Sequence, residues 1–246
     1  MPPYEEFING LNTQQMMYIQ LIGLGGLLKT PSIKIRRVLC LAIANSYDAE
    51  QDAFIINGRP CRITLKDVEH MTGLPCMGKN HVSSNHNDTL ELWKELKDPN
   101  DTKVTLKGLL AMMKGDSTPN FVRPFVLYTI GKYVCPTTQQ YVDNRYLGIV
   151  RNVETIKSTN FAQLTLDHLM ASVRKFVNGG ANLEGNLPLL QVIQSLLTYH
   201  TFNFMENFLS CFSCNADVVL REVEGAPIGL YHLVCIKVKD VDPKLE

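Results

Sequence analysis

Most of the chain carries apolar residues at intervals of three and four, and a few short stretches alternate apolar and polar positions. Intervals of three and four are typical of amphipathic helices, whereas alternation is typical of strands. We therefore predict helices over residues 13–22, 32–46, 64–72, 90–96, 106–114, 123–134, 160–177 and 188–204.

Two of the predicted helices have enough apolar residues to define the face that contacts the core. In residues 32–46 the predicted buried stripe comprises Ile35, Val38, Leu39 and Ala42. In residues 160–177 the predicted buried face comprises Leu166, Leu169, Met170, Val173 and Val177. Each helix is expected to bury this side and to expose the other.

Two β-hairpins are predicted. Residues 54–63 place apolar residues on both sides of Asn57-Gly58, a dipeptide typical of a two-residue hairpin turn, and Pro60 favours an edge strand. Residues 218–223 and 231–238 form the second predicted hairpin, because apolar and polar positions alternate in them. Residues 78–89 are rich in Asn, Ser and His, lack periodicity, and are expected to form a surface loop.

The predicted helix 64–72 has signals at both ends. Thr64 and Asp67 have the spacing of a capping box, and Gly73 followed by Pro75 is typical of a helix C-terminus. With no linker and no internal repeat, the fold class is mainly α with small β-hairpins (α+β), as a single compact helical domain over residues 1–205. Residues 206–246 are expected to form a divergent C-terminal segment that contains the second hairpin.

Composition narrows the classes of partner. The 24 basic and 24 acidic residues give zero formal charge, which makes a protein that binds mainly through phosphate contacts less expected. No basic and apolar leader and no long apolar run are visible, so neither a signal peptide nor a membrane partner is expected. Seven scattered cysteines favour reduced thiols in the cytosol or nucleus.

One stretch, Gly73-Leu-Pro-Cys-Met-Gly-Lys-Asn80, is close to the phosphate-binding P-loop pattern. A P-loop follows a strand and aims consecutive backbone amides at the phosphates. Here a predicted helix comes first, Pro75 lacks an amide hydrogen, and Asn80 replaces the hydroxyl residue that would bind magnesium. We therefore interpret the stretch as a helix C-cap followed by a turn.

A second glycine-rich stretch, Gly23-Leu-Gly25-Gly26, resembles the start of a dinucleotide-binding fingerprint. The third glycine of that fingerprint would fall on Leu28, and the preceding segment is predicted to be helical. A corner between helices with closely packed backbone is the preferred interpretation.

Metal and histidine chemistry have weak support. A Cys3His zinc site is the alternative to buried core cysteines for Cys211, Cys214, His232 and Cys235. We favour core cysteines, since residues three apart in a strand face opposite sides. His81 and His86 are expected to be exposed loop histidines, and the single tryptophan, Trp93, is expected in the core. No catalytic residue, cofactor or metal ligand is assigned.

One compact basic cluster comprises Lys34, Arg36 and Arg37 on the predicted helix 32–46, with Lys29 shortly before it. Such a cluster is usually solvated surface. The alternative is that these residues contact nucleic acid or an acidic protein partner.

Several spaced blocks resemble a known family. They are Ile22-Gly-Leu-Gly-Gly-Leu-Leu28, residues 33–43, Asn45-Ser-Tyr-Asp48, and residues 54–60, 63–68, 72–79, 123–137, 156–162 and 187–191. Their order is similar to that of the aminotransferase-like plant mobile domain, found in plant transposable elements and in MAIN-like (maintenance of meristems) proteins. The resemblance covers residues 20–205.

This resemblance implies a nuclear, non-catalytic module. Relatives of this kind act in transposon silencing, genome stability and meristem maintenance alongside a phosphatase-seven-like partner. Although the family name contains "aminotransferase", a pyridoxal-phosphate enzyme needs a Schiff-base lysine and a phosphate-binding cup, and no lysine here has a recognisable setting of that kind. Three functions follow: a protein-interaction module first, a nucleic-acid-binding domain of a transposon-derived protein second, and a pyridoxal-phosphate enzyme or hydrolase third.

Overall fold

The computed structural model describes residues 3–29, 33–84, 87–99 and 101–191, together with the backbone of two strands, Val219–Glu222 and Tyr231–Val234. The chain divides into two compact units, Met1–Ile193 and Gln194–Glu246. The first unit is helical with a small antiparallel sheet, and the second contains a strand pair. The predicted class, mainly α with small β-hairpins, is confirmed.

The described helices of the first unit are α1 Tyr4–Asn9, α2 Thr13–Leu21, α3 Arg37–Asn45, α4 Leu65–Thr72, α5 Leu90–Leu96, α6 Leu106–Met113, α7 Val122–Thr129, α8 Val153–Ser158 and α9 Phe161–Val177. A π-helical turn, Ile130–Val134, continues α7. The predicted helices 13–22, 64–72, 90–96, 106–114, 123–134 and 160–177 are confirmed, whereas α1 and α8 were not predicted. Residues 188–191 are helical, and the rest of the predicted helix 188–204 lies outside the described residues.

Two features predicted for α3 are wrong. The helix begins at Arg37, and residues 33–36 before it are not helical. Its buried residues are Cys40, Ile43 and Ala44. Ile35 and Val38, which were predicted to be buried, are 51% and 83% exposed. Ala42, also predicted to be buried, is exposed, and Leu39 is half-buried. Periodicity identified the helix but selected the wrong side, because both sides carry apolar residues.

Helix α9 buries a wider surface than predicted. Leu169 and Val173 are buried as expected, and so are Phe161, Ala162, Leu164 and Thr165 near its N-terminus. Val177, predicted to be buried, is 40% exposed at the last turn. The helix contacts α3, α4, the strand Tyr47–Asp48 and the π-helical turn, so neighbours cover more than one side of it.

The sheet of the first unit has the order β1 Tyr47–Asp48, β2 Ala53–Ile56 and β3 Arg59–Cys61. Ile56 pairs with Arg59, and Asn57 and Gly58 have φ values of 50° and 73°, as a type I′ turn requires. The first predicted hairpin is confirmed, with Pro60 in an edge strand, and β1 is an additional strand. In the second unit, β4 Val219–Glu222 pairs with β5 Tyr231–Val234, which confirms the second hairpin.

Helix α7 lies at the centre of the core. Phe125, Val126, Leu127 and Tyr128 are completely buried. Rings from α1 and from the π-helical turn stack around them, with Tyr4 4.6 Å from Tyr133 between ring centroids. This continuous apolar core, which extends from α1 to α9, fixes the framework on which the surface residues are displayed.

Local capping explains where the helices begin. The Asp67 amide donates to the Thr64 hydroxyl at 3.2 Å, and the Thr64 amide donates to the Asp67 carboxylate at 2.7 Å, so the predicted capping box is confirmed. Asn12 and Gln15 form a second capping box at α2. Helix α4 ends at Gly73, whose φ of 67° is left-handed, as predicted from the glycine.

Candidate functional site

The two glycine-rich stretches pack directly against each other. A Cβ atom on Gly26 would lie 2.9 Å from the Cα of Gly73, and one on Gly73 would lie 3.0 Å from the Cα of Gly26. Even closer contacts would form with the backbone carbonyl groups of the opposite glycine. We call this pair the glycine seam. It confirms the interpretation of Gly23–Gly26 as a closely packed corner, because only hydrogen side chains fit between the two backbones.

The stretch after Gly73 is tied to the junction of α8 and α9. The Lys79 amide donates to the Ser158 carbonyl at 2.6 Å, and the Asn160 amide donates to the Lys79 carbonyl at 2.9 Å. The Asn160 side chain also donates to the Cys76 carbonyl at 2.9 Å. The predicted C-cap is confirmed by the left-handed Gly73 at the end of α4. The P-loop arrangement, a strand that leads into amides aimed at a phosphate, is not what this stretch adopts.

The predicted basic cluster is displayed on the surface, but not on one face of a helix. Lys34 and Arg36 lie in the non-helical segment before α3, Arg37 is the first residue of α3, and all three are exposed. Lys29 is exposed at the end of a 3-10 turn, Gly25–Lys29. Within the described ranges, none of these four cations has an ion-pair partner.

Two exposed apolar residues alternate with these cations. Ile35 lies between Lys34 and Arg36, and Val38 follows Arg37. We call Lys34, Ile35, Arg36, Arg37 and Val38 the α3 surface. It combines apolar area with positive charge, a composition that fits a complementary acidic and apolar partner.

Gln191 holds this segment in place, and sequence reasoning gave it no role. Its side-chain carbonyl accepts from the Arg36 amide at 2.6 Å, and its side-chain amide donates to the Lys34 carbonyl at 3.3 Å. The Cys40 thiol donates to the Leu187 carbonyl at 3.5 Å. Burial raises the pKa of this thiol above its ordinary value. The α3 surface therefore rests on a fixed backbone, although no local signal in the sequence marks Gln191 as its partner.

A second polar group connects the sheet to α9. The Tyr47 hydroxyl donates to the Asp52 carboxylate, and Arg174 donates to Tyr47 at 3.1 Å and to Asp52 at 2.8 Å. The hydrogen bond from Tyr47, and then that from Arg174, holds the pKa of Asp52 below its ordinary value. Burial raises the pKa of Tyr47. We call Tyr47, Asp52 and Arg174 the sheet–helix clamp. It was not predicted, since Arg174 lies 122 residues from Asp52 in the sequence.

The histidines differ from the prediction. His81 is half-buried rather than exposed, and its ring lies 5.4 Å from that of Tyr146. Its Nε2 atom and that of His168 on α9 are buried without a hydrogen-bond partner in the part of the chain that the structure describes. Burial lowers the pKa of both histidines. His86 lies outside the described residues.

Trp93 packs against the core, as predicted.

Metal and thiol chemistry receive no support from the part of the chain that the structure describes. It contains no group of three or more His, Cys, Asp or Glu residues arranged to hold a metal ion. Cys40, Cys61, Cys76 and Cys135 are free thiols, and burial raises the pKa of Cys135 to about 12. The predicted alternatives for Cys211, Cys214 and Cys235, and for the His232 side chain, lie outside the described residues.

None of the described helices has both the length and the apolar character needed to cross a membrane.

Comparison with known proteins places the helical unit in one family. A family model described as a domain of unknown function, DUF8566, matches residues 4–191. No significant match is found among curated proteins or among solved structures. The matched residues include the glycine seam, the α3 surface, Gln191 and the sheet–helix clamp. The chain therefore belongs to the DUF8566 family.

Proposed function

We propose that the chain is a non-enzymatic interaction module of the nucleus, derived from a transposon protein, which binds an acidic segment of a protein partner through the α3 surface. The resemblance to the aminotransferase-like plant mobile domain supports the nuclear setting. It also supports roles in transposon silencing, genome stability and meristem maintenance, with a phosphatase-seven-like protein as the first partner to test.

The observation that carries this proposal is the exposure of apolar residues within a basic segment. Val38 is 83% exposed and Ile35 is 51% exposed, while the adjacent Lys34, Arg36 and Arg37 have no ion-pair partner in the described ranges. Contact area from the apolar residues and attraction from the cations give a protein partner both affinity and orientation.

The position of the charges supports an acidic partner. Arg36 and Arg37 lie at the N-terminus of α3, where the helix dipole disfavours positive charge, and the first turn of α3 has no acidic residue. Arg36 occupies the N-cap position without a side-chain hydrogen bond to the first turn. Carboxylates of a partner placed here would offset both the arginine charges and the dipole.

A protein partner is favoured over nucleic acid. Affinity for nucleic acid rests mainly on cations that contact phosphates, and salt-sensitive binders typically make about six to ten such contacts. The α3 surface and Lys29 together offer four cations. The apolar side chains of Ile35 and Val38 contribute nothing to phosphate contacts but suit a protein interface.

The test compares two valines of equal exposure. The full chain and its Val38→Asp and Val82→Asp variants are used to co-purify proteins from plant nuclei, and binding of the purified phosphatase-seven-like protein is then measured. Both valines are 83% exposed, so both variants should fold equally well. We expect Val38→Asp to lose the partner and Val82→Asp to retain it. Equal retention, or no nuclear partner for the unmodified chain, would refute the proposal.

The unpaired cations also favour a second candidate function, nucleic-acid binding. Gel shifts with DNA and RNA at low salt, using the unmodified chain and a Lys34→Glu/Arg36→Glu/Arg37→Glu variant, test it separately. Binding that falls steeply with salt and disappears in the variant would establish this function. If neither nucleic acid shifts at low salt, the second candidate fails and the protein-binding proposal is unaffected.

A further inference from the structure

A cleft lies between the small sheet and α9, on residues that the proposed partner surface does not use. Its volume is about 200 Å³. Phe54 and Ile63 form a buried apolar floor, and Leu166 and Met170 of α9 add half-buried apolar walls. Charged and polar groups surround this apolar surface, an arrangement typical of ligand sites.

The charge of Arg62 is fixed beside this cleft without an ion-pair partner. Its Nε atom donates to the Asp52 carbonyl at 3.2 Å, and its Nη2 atom donates to the Gln51 carbonyl at 2.7 Å. Both acceptors are neutral backbone groups, and no ion pair of Arg62 occurs among the described residues. The guanidinium group is therefore held in position, and the Asp52 carboxylate interacts with its charge only from beyond ion-pair distance.

The two hydrogen bonds that Arg62 already donates leave one whole edge of its guanidinium group able to bind a carboxylate. A guanidinium group has five N–H donors in a planar fork. The Nε and Nη2 hydrogens on one edge of Arg62 point to the carbonyls of Asp52 and Gln51, which leaves the edge formed by Nη1 and the second Nη2 hydrogen. That edge has the geometry for two parallel hydrogen bonds to one carboxylate.

The sheet–helix clamp holds one end of the cleft and brings no net charge to it. Arg174 also lines the cleft and pairs with Asp52 at 2.8 Å, whereas Arg62 has no carboxylate at ion-pair distance among the described residues. Asp52 has a positive φ of 46°, a backbone conformation that the clamp and Arg62 hold in place. Asp167 carries the opposing charge two turns before Arg174 on α9, roughly 10 Å along the helix axis. The cleft is therefore polarised along its length.

We propose that this cleft binds a small monocarboxylate with an apolar body. The carboxylate pairs with the free edge of Arg62, and the apolar body rests on Phe54, Ile63, Leu166 and Met170. The volume of about 200 Å³ lies below the range of roughly 300–1,000 Å³ for drug-sized ligands, and suits a molecule the size of a capped amino acid. The site does not depend on the α3 surface.

The test uses N-acetyl-L-leucine as the probe and N-acetyl-L-leucinamide as its uncharged counterpart. Each is titrated into the full chain, and binding is followed by NMR on the methyl groups of Ile63, Leu166 and Met170. We expect saturable shifts with a millimolar Kd for the carboxylate, as for other ligands of about a dozen non-hydrogen atoms. The amide should bind at least tenfold more weakly, since the charge-assisted pair is lost.

Variants test which cation is responsible. Arg62→Gln should weaken the carboxylate at least tenfold, whereas Arg62→Lys, which keeps the charge but not the fork, should lose less. Arg59→Gln is the matched control, because Arg59 is an exposed arginine of β3 that does not line the cleft. Equal binding of acid and amide, unchanged binding by Arg62→Gln, or no saturable shift with the unmodified chain would overturn the proposal.

Discussion

In the sequence, the glycine seam and the α3 surface both suggest anion binding. In the structure, the seam is packed against other backbone, whereas the α3 surface is exposed. At the seam, distant backbone fills the space beside Gly26 and Gly73, and in the stretch after Gly73 the Lys79 amide donates to the Ser158 carbonyl of α8. At the α3 surface, Arg36 and Arg37 remain exposed and without ion-pair partners among the described residues. Residues remote in the sequence thus decide whether a motif supports the fold or remains available for binding.

Because of this difference, substitutions in one region should change stability and substitutions in the other should change binding. Substitutions in the glycine seam should destabilise the fold, because no space exists for a side chain. Substitutions on the α3 surface should leave stability within about 0.5 kcal/mol, because surface positions without special backbone or packing features tolerate change. The predictions below test this separation, beginning with the largest expected effect.

The largest effect is expected at the seam. Gly26→Ala or Gly73→Ala should lower the free energy of unfolding by about 3 kcal/mol or more, since the new methyl group forces two backbones apart. The shift in the urea midpoint measures this loss.

Gly58→Ala is the matched control for Gly73→Ala. Gly58 and Gly73 have similar φ values of 73° and 67°, but a Cβ atom on Gly58 meets nothing within 4 Å. Gly58→Ala should therefore cost only the left-handed backbone conformation, about 1–2 kcal/mol. If both variants lost the same stability, backbone contact at the seam would not be the cause.

A smaller effect is expected at Gln191, whose substitution should change both stability and binding. Gln191→Ala removes two hydrogen bonds to the backbone of Lys34 and Arg36 and should cost about 1 kcal/mol. Because the α3 surface loses its support, partner binding should also weaken several-fold. Urea unfolding and a binding titration measure the two effects.

Gln139→Ala provides the comparison for Gln191→Ala. The side chain of Gln139 is exposed and has no hydrogen bond to any of the described residues, so neither stability nor binding should change. Unchanged binding in Gln191→Ala would show that the α3 surface does not depend on this support.

The smallest effect is the pH dependence of stability that comes from two half-buried histidines, His81 and His168. Burial lowers the pKa of His168 in the folded chain, so the unfolded chain takes up the proton first as the pH falls. His168 should therefore add no pH dependence to stability above a pH of about 6.5, the ordinary pKa of histidine, and should make stability decrease as the pH drops below it. His81, whose pKa burial also lowers, adds to the same decrease.

His168→Gln should reduce the loss of stability between neutral and mildly acidic pH. Urea midpoints at several pH values provide the measurement. A His168→Gln variant with an undiminished acid response would contradict the assignment of buried His168 as one of its sources.

Local signals account for what the sequence predicted correctly. The Asn57-Gly58 turn, the Thr64–Asp67 capping box and the C-cap at Gly73 each depend on residues within a few positions of one another. Helices α5, α6 and α9 were predicted correctly from the spacing of apolar residues, which is also a local signal. Short-range rules are sufficient wherever the residues that interact are neighbours in the chain.

Long-range contacts account for what the sequence did not predict. The buried side of α3 is selected by the partners of Cys40, Ile43 and Ala44, and its apolar pattern alone favoured Ile35 and Val38. Arg174 reaches Asp52 across a sequence separation of 122 residues, and no pattern in either segment specifies the other. The basic residues of the α3 surface were identified in the sequence, whereas Gln191 and the cleft beside Arg62 required the structure.

The most direct test of the central claim is hydrogen exchange of the full chain, measured alone and in complex with its purified nuclear partner. We predict slower exchange over residues 33–42 on binding and unchanged exchange over residues 73–80. Protection of residues 73–80 with no change over residues 33–42 would contradict the assignment of the α3 surface as the binding region.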